Sequence, residues 1–253
     1  MRGYWLMLQN ELILAWRRYR LVVLALVFLL FGIEAPLVAK LTPALLKSIG
    51  QGMTITLPKP TSVMAWQQYY KNMTQIGLFV LAIVASGTVS RELNEGTLVI
   101  LVAKGLRRNA VIMAKYTMAL LQWVVALLLA FGVTYAYTAY YFPDDLSPHP
   151  WLALWPLLWF GVLWLAIIIL GSTLSKSGFT GFLLGAGVYL GLTLLNMFKA
   201  VHRFNPVSLT NDNLALLTGT KTFWSLAPAY AVTLAGAVAC LALAMLVLKK
   251  RRL

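Results

Sequence analysis

The sequence predicts an all-α polytopic membrane protein with six transmembrane helices, and three observations carry that prediction. Six apolar runs recur along the chain, each near the roughly 20 residues a helix needs to cross a bilayer. Hydrophobic residues fill 60% of the 253 positions and charged residues only 11%, outside the range of soluble domains. The 21 Lys and Arg, against 7 Asp and Glu, punctuate the apolar runs instead of gathering on a soluble face. The net charge of +14 is therefore topological, and no nucleic-acid partner is expected.

Residues 1–20 are too polar to span. Trp5, Leu8 and Leu12 recur at helical spacing with Gln9, Asn10 and Glu11 on other faces, which predicts an amphipathic helix in the inner interface. The cluster Arg17-Arg18-Tyr19-Arg20 holds the inner end of the first span, about 21–39. That apolar core outruns the roughly 7–15 residues of a signal-peptide h-region, and no A-x-A site follows closely, so it reads as an uncleaved span. Glu34 is the one carboxylate deep in a predicted span, with Pro36 after it. An acid inside a membrane is costly, which makes Glu34 a candidate for a substrate pathway, although its outer position also lets it reach headgroups or Lys40. Residues 40–71 read as an outer loop broken by Pro43, Gly50, Gly52, Pro58 and Pro60, with Leu45, Leu46, Met53, Ile55 and Leu57 along the outer surface. The second span, about 73–89, returns the chain inside.

Residues 90–115, SRELNEGTLVILVAKGLRRNAVIMAK, hold most of the charged chemistry. Glu92 and Glu95 stand three apart just ahead of Gly96-Thr97, where carboxylates complement the positive end of a helix dipole. Thr97 to Ala103 is apolar without a break, and Lys104-Gly105 supply the cation and glycine expected where a helix stops. The segment reads as a short docking helix at the membrane surface, and a surface helix apolar on every side needs a protein partner as well as lipid.

The third span, about 117–137, ends in Tyr135, Tyr137, Tyr140, Tyr141 and Phe142, the aromatic belt of a membrane interface. Asp144, Asp145 and His149 in the next turn have no further ligands nearby to make a metal site. The fourth span, about 151–170, puts Trp151, Trp155 and Trp159 on one face, a stripe able to hold an amphipathic substrate or to pack against lipid and neighbouring spans. A short inner turn with Lys176 leads to the fifth span, about 178–197. There Gly181, Gly185, Gly187 and Gly191 form small-x-x-x-small pairs expected to bring one face close to another helix. A second outer segment, 199–227, precedes the sixth span, about 228–248, which ends in Lys249-Lys250-Arg251-Arg252.

With both termini inside, fourteen of the 21 basic residues fall inside and seven outside, which favours that orientation. The single Cys240 sits in the last apolar run, so no disulfide framework or metal cluster is expected. No phosphate-binding G-x-x-x-x-G-K-[ST] loop occurs, and Gly219-Thr220-Lys221-Thr222 has the wrong order. The spans carry no convergent acid, base and nucleophile, so the expectation is a chain without catalytic, cofactor or metal residues of its own.

Arg91-Glu92-x-x-Glu95-Gly96-Thr97-Leu98, the basic turn Arg107-Arg108 and Lys115 at the next span resemble the cytosolic loop of type-2 ABC export permeases. Gly105-Leu106 departs from the pattern, standing where the family commonly carries a proline-containing turn. Asn205-Pro206-Val207-Ser208-Leu209 is similar to an Asn-Pro-Leu-Ser-type segment that follows the family's fifth span. The resemblance implies one permease domain over 1–253, with an elbow helix at 1–20 and a coupling helix within 90–115. It implies two copies of a separate ATPase carrying ATP and Mg, a second permease subunit, identical or related, and the plasma membrane of a bacterial cell with both termini cytoplasmic. It gives ATPase-coupling roles to Arg91, Glu92, Glu95, Gly96, Thr97, Leu98, Ile100 and Leu101. Arg91 is expected to pair with an acid on the elbow helix, with Glu11 the obvious candidate. The expected activity is export of a hydrophobic or amphipathic lipid, peptide or drug. The alternative is a non-transporting immunity or sensor protein for a membrane-active peptide.

Overall fold

Residues 2–49, 59–103, 105–175 and 177–251 are described in a computed structural model. They contain six helices long and apolar enough to cross a membrane and no strand, so the chain is an all-α, multi-pass membrane protein. Helix α1 spans Arg2–Arg17 and turns through Tyr19, which has a φ of 55°, into α2, Arg20–Ile49. Helix α3, Ser62–Asn72, continues through a π-helical stretch, Met73–Gly77, into α4, Leu78–Asn94. The short α5 spans Thr97–Ala103, followed by α6, Arg108–Tyr141, α7, Pro150–Leu174, and α8, Gly178–Leu195. Three short helices, α9 (Lys199–His202), α10 (Ser208–Asn211) and α11 (Asn213–Leu217), precede a 3₁₀ turn, Phe223–Leu226, and α12, Ala227–Lys250.

The first two spans reach further than the apolar runs suggest. Pro36 and Pro43 do not end α2, which runs on to Ile49, and the second helix begins at Ser62, so both ends of the expected outer loop are helical. A proline removes one N–H donor, but opening the helix in lipid exposes several backbone groups, so the proline-containing helix persists. Helix α3 is held by its aromatic face. Trp66, Tyr69 and Tyr70 are buried, and Trp66 lies 5.0 Å from Phe131 of α6, centroid to centroid. Its first turn is tied from the α6–α7 turn, where the Asp144 carboxylate accepts from the Ser62 N–H at 2.9 Å and from the Ser62 hydroxyl. Asp144 thus has a structural partner that the local sequence does not reveal. Burial alone pushes its pKa up, but the bonds from Ser62 and the Leu146 N–H outweigh that and hold it below the usual carboxylate value. The expected loop residues 50–58, and Lys104, Lys176 and Arg252, lie outside the described residues, as do the side chains of Leu45 and Leu46.

Helix α7 is the central pillar, packed on α4, α6, α8 and α12. Trp164 is buried and donates to the Leu78 carbonyl of α4 at 2.8 Å. The segment after α8 is ordered and folds back over the far end of the bundle. Asn205 donates to the Leu192 carbonyl at 2.7 Å, and Leu209, Leu216 and Leu217 are buried. At the end of the bundle that carries α1, arginines cap two helix C-termini. Arg108 donates to the Leu248, Lys249 and Arg251 carbonyls at 2.8–3.0 Å, and Arg251 donates to the Thr173 carbonyl at 2.9 Å.

Candidate functional site

The sequence region 90–115 divides in the structure into a buried root and an exposed tip. Helix α4 runs through Glu92 to Asn94, so Glu92 lies in the last turn of α4 and is not an N-terminal charge of α5. A carboxylate opposes the dipole at a helix C-terminus and needs a compensating cation. Lys115, in the second turn of α6, supplies it. Its ammonium lies 2.7 Å from Glu92 and 2.5 Å from Glu11 of α1, with side-chain exposures of 1% for Lys115, 5% for Glu11 and 13% for Glu92. Glu11 is buried because α1 turns Met7, Glu11 and Ala15 toward the bundle, while Trp5, Leu12 and Trp16 face outward. Tyr4 adds a second link from α1, donating to Thr117 at 3.0 Å.

This arrangement corrects two expectations. Glu11 pairs with Lys115 rather than Arg91, and Glu92 faces inward, unavailable as a surface anchor. One Glu92 oxygen, Oε2, is buried without a partner among the described residues. Lys115 was legible only as a basic residue at the start of a span. Its partners lie 104 and 23 positions away, which no local pattern exposes.

The tip is α5, and its bounds are those of the apolar run. Gly96 and Gly105 have φ of +70° and +88°, a left-handed conformation that glycine adopts without strain, and they turn the chain into and out of the helix. Leu98, expected to fill a groove of the ATPase, is instead fully buried beneath α5 and cannot reach a partner, while Ile100 is 58% exposed and Glu95 and Thr97 are exposed. The Leu101 side chain lies outside the described residues. Arg91 is exposed and lines a groove with Arg18, Arg20 and Glu95.

The pathway candidates do not converge. Glu34 accepts from Gln68 at 3.3 Å and from Asn72, which ties α2 to α3, while Lys40 sits 3.8 Å over the Tyr141 ring instead of reaching Glu34. Trp155 and Trp159 line a separate open groove of about 420 Å³ between α6 and α7, bounded by Leu120, Val124 and Leu128. The glycines of α8 also split. Gly181 packs against Ile168, Ser172 and Ser86, and Gly185 against Ile168 and Trp164, whereas Gly187 and Gly191 face open space. The two-residue step from 185 to 187 rotates about 200° around the helix, so the two pairs occupy opposite faces, not one.

Among the described residues no cluster of His, Cys, Asp or Glu could hold a metal ion. Compared with protein-family models and with curated proteins, the chain finds no match in either.

Proposed function

We propose that this chain is the membrane-spanning permease subunit of an ATP-driven ABC exporter, with α5 as its coupling helix. The supporting observation is the shape of the 90–115 segment. A separate seven-residue helix stands between the second and third spans, bracketed by two positive-φ glycines, and its root is clamped to α1 and α6 by the Glu11–Lys115–Glu92 cluster. A partner that pushes α5 therefore moves the ends of two spans and the surface helix together. ATP and Mg belong to the partner, a separate ATPase in two copies, and the chain lies in a bacterial plasma membrane with both termini cytoplasmic.

Helix α8 supports a second permease subunit. Most of its surface is uncovered, including Leu183, Leu190 and Leu194, and an open Gly187/Gly191 stripe permits close helix approach. The cargo is hydrophobic or amphipathic, in keeping with the apolar α6–α7 groove. Glu95, Thr97 and Ile100 meet the ATPase, and Glu92 transmits the movement.

The test is co-expression with the candidate ATPase and purification in mild detergent. The wild type retains the ATPase, and Ile100→Asp with Glu95→Ala loses at least tenfold of it while the permease stays folded. A well-folded wild type that retains no ATPase moves the assignment to a non-transporting immunity or sensor protein.

A further inference from the structure

A groove of about 470 Å³ opens between the α1–α2 turn and the last three turns of α4. Arg18, Arg20 and Arg91 line it with one acid, Glu95, an excess of two positive charges. Among the described ion pairs none engages these arginines, and the neighbouring acids Glu11 and Glu92 are taken by Lys115. The turn that presents Arg18 and Arg20 is strained, because Tyr19 between them holds a left-handed φ of 55°.

The floor has the opposite chemistry. Ile83 and Val84 line it, with Ile83 62% exposed, and Gly87 keeps it open, since a Cβ there would meet only the Arg91 guanidinium at 3.8 Å. Ile83 lies eight residues before Arg91, about 12 Å along the helix, inside the apolar run that spans the bilayer. The groove therefore crosses the membrane boundary, with guanidinium groups at its polar end and hydrocarbon at its other end.

We propose that this groove binds an anionic phospholipid, with the phosphate held by Arg18, Arg20 and Arg91 and an acyl chain lying over Ile83 and Val84. Guanidinium groups match phosphate oxygens in paired hydrogen bonds, and basic clusters at the ends of membrane spans attract anionic headgroups. A soluble anion uses the arginines but leaves the apolar floor unfilled. A zwitterionic lipid offsets none of the charge excess, whereas a monoanionic one offsets half of it. Glu95 at the mouth disfavours a second anionic group and favours a headgroup with hydroxyl donors, which makes phosphatidylglycerol the probe. The proposal stands independently of the transport assignment.

The test is titration of the purified full chain in detergent with dioleoylphosphatidylglycerol or dioleoylphosphatidylcholine, read by native mass spectrometry. Phosphatidylglycerol is expected to bind saturably and at least tenfold tighter than phosphatidylcholine. Arg18→Gln with Arg91→Gln should weaken it about 25-fold, roughly fivefold per arginine, and Lys249→Gln with Lys250→Gln should not. The exposed single change Arg18→Gln carries the same test, at about fivefold, if the double variant fails to fold. Equal binding of the two lipids, or wild-type binding by Arg18→Gln, overturns the site. Displacement of phosphatidylglycerol by millimolar inorganic phosphate overturns the lipid as occupant.

Discussion

The root and the tip of the 90–115 segment teach different lessons although they lie a few residues apart. The root has three charged side chains closed off from solvent and cross-linked to α1 and α6, whereas α5 offers Ile100 and Glu95 to the outside and is seated on Leu98. A lever needs that division, with a fixed attachment and an accessible end. The two acids illustrate it. Glu92 is spent on internal structure, and Glu95, three positions later, is exposed.

The largest expected effect tests the fixed half. Lys115→Met leaves Glu11 and Glu92 buried without their cation and should destabilise the protein by about 3–5 kcal/mol, read as thermal unfolding in detergent. A loss below about 1 kcal/mol would mean that the root is not held by charge.

The same division between fixed and open faces recurs on α8, with a smaller effect. A Cβ on Gly171 would sit 2.7 Å from the Gly181 Cα, and backbone cannot move aside as a flexible side chain can. Gly171→Ala should therefore cost about 1–3 kcal/mol. Gly187→Ala meets nothing within 4 Å and should leave the single chain unchanged or slightly more stable. Equal losses from the two changes would place a partner on Gly187 or contradict the packing at Gly171.

The acids sharpen the comparison further. Glu92→Gln retains the Lys115–Glu11 pair and should cost about 1 kcal/mol. Glu95→Gln should lie within about 0.5 kcal/mol of wild type in stability and show itself in partner retention instead. The smallest effect lies at the far end of the bundle, at Asp144. Its folded pKa lies below the ordinary value near 4, so its stabilisation is complete above that value and fades as pH falls through the lower folded pKa. Asp144→Asn should flatten the acid limb of a stability profile by lowering stability slightly at neutral pH while leaving the acid end unchanged.

The spans and α5 were legible in the sequence because length and hydropathy decide them, and the apolar run Thr97–Ala103 is the helix itself. Gly105 was legible as the stop of that helix, since glycine takes a positive φ without strain, whereas Gly96, expected to give close backbone approach to a partner, turns the chain into the helix. The partners were not. Which face of α1 turns inward depends on Lys115 waiting on α6, and of the stripe Trp5, Leu8 and Leu12 the two ends face outward while Leu8 is half-buried. The extent of α2 was hidden by Pro43, whose local preference gives way in an apolar setting. The two faces of α8 were readable in principle, because a step of two residues around a helix already separates them.

The most direct measurement is a thiol cross-link. On a Cys240→Ser background, single cysteines are placed at Ile100 and at Met7, which is buried under α1. The chain is co-expressed with the candidate ATPase and treated with a short bifunctional reagent. The account predicts a cross-link from Ile100 that Met7 does not give. An intact complex that cross-links from neither position, or a partner that meets the chain away from α5, contradicts the assignment of α5 as the coupling helix.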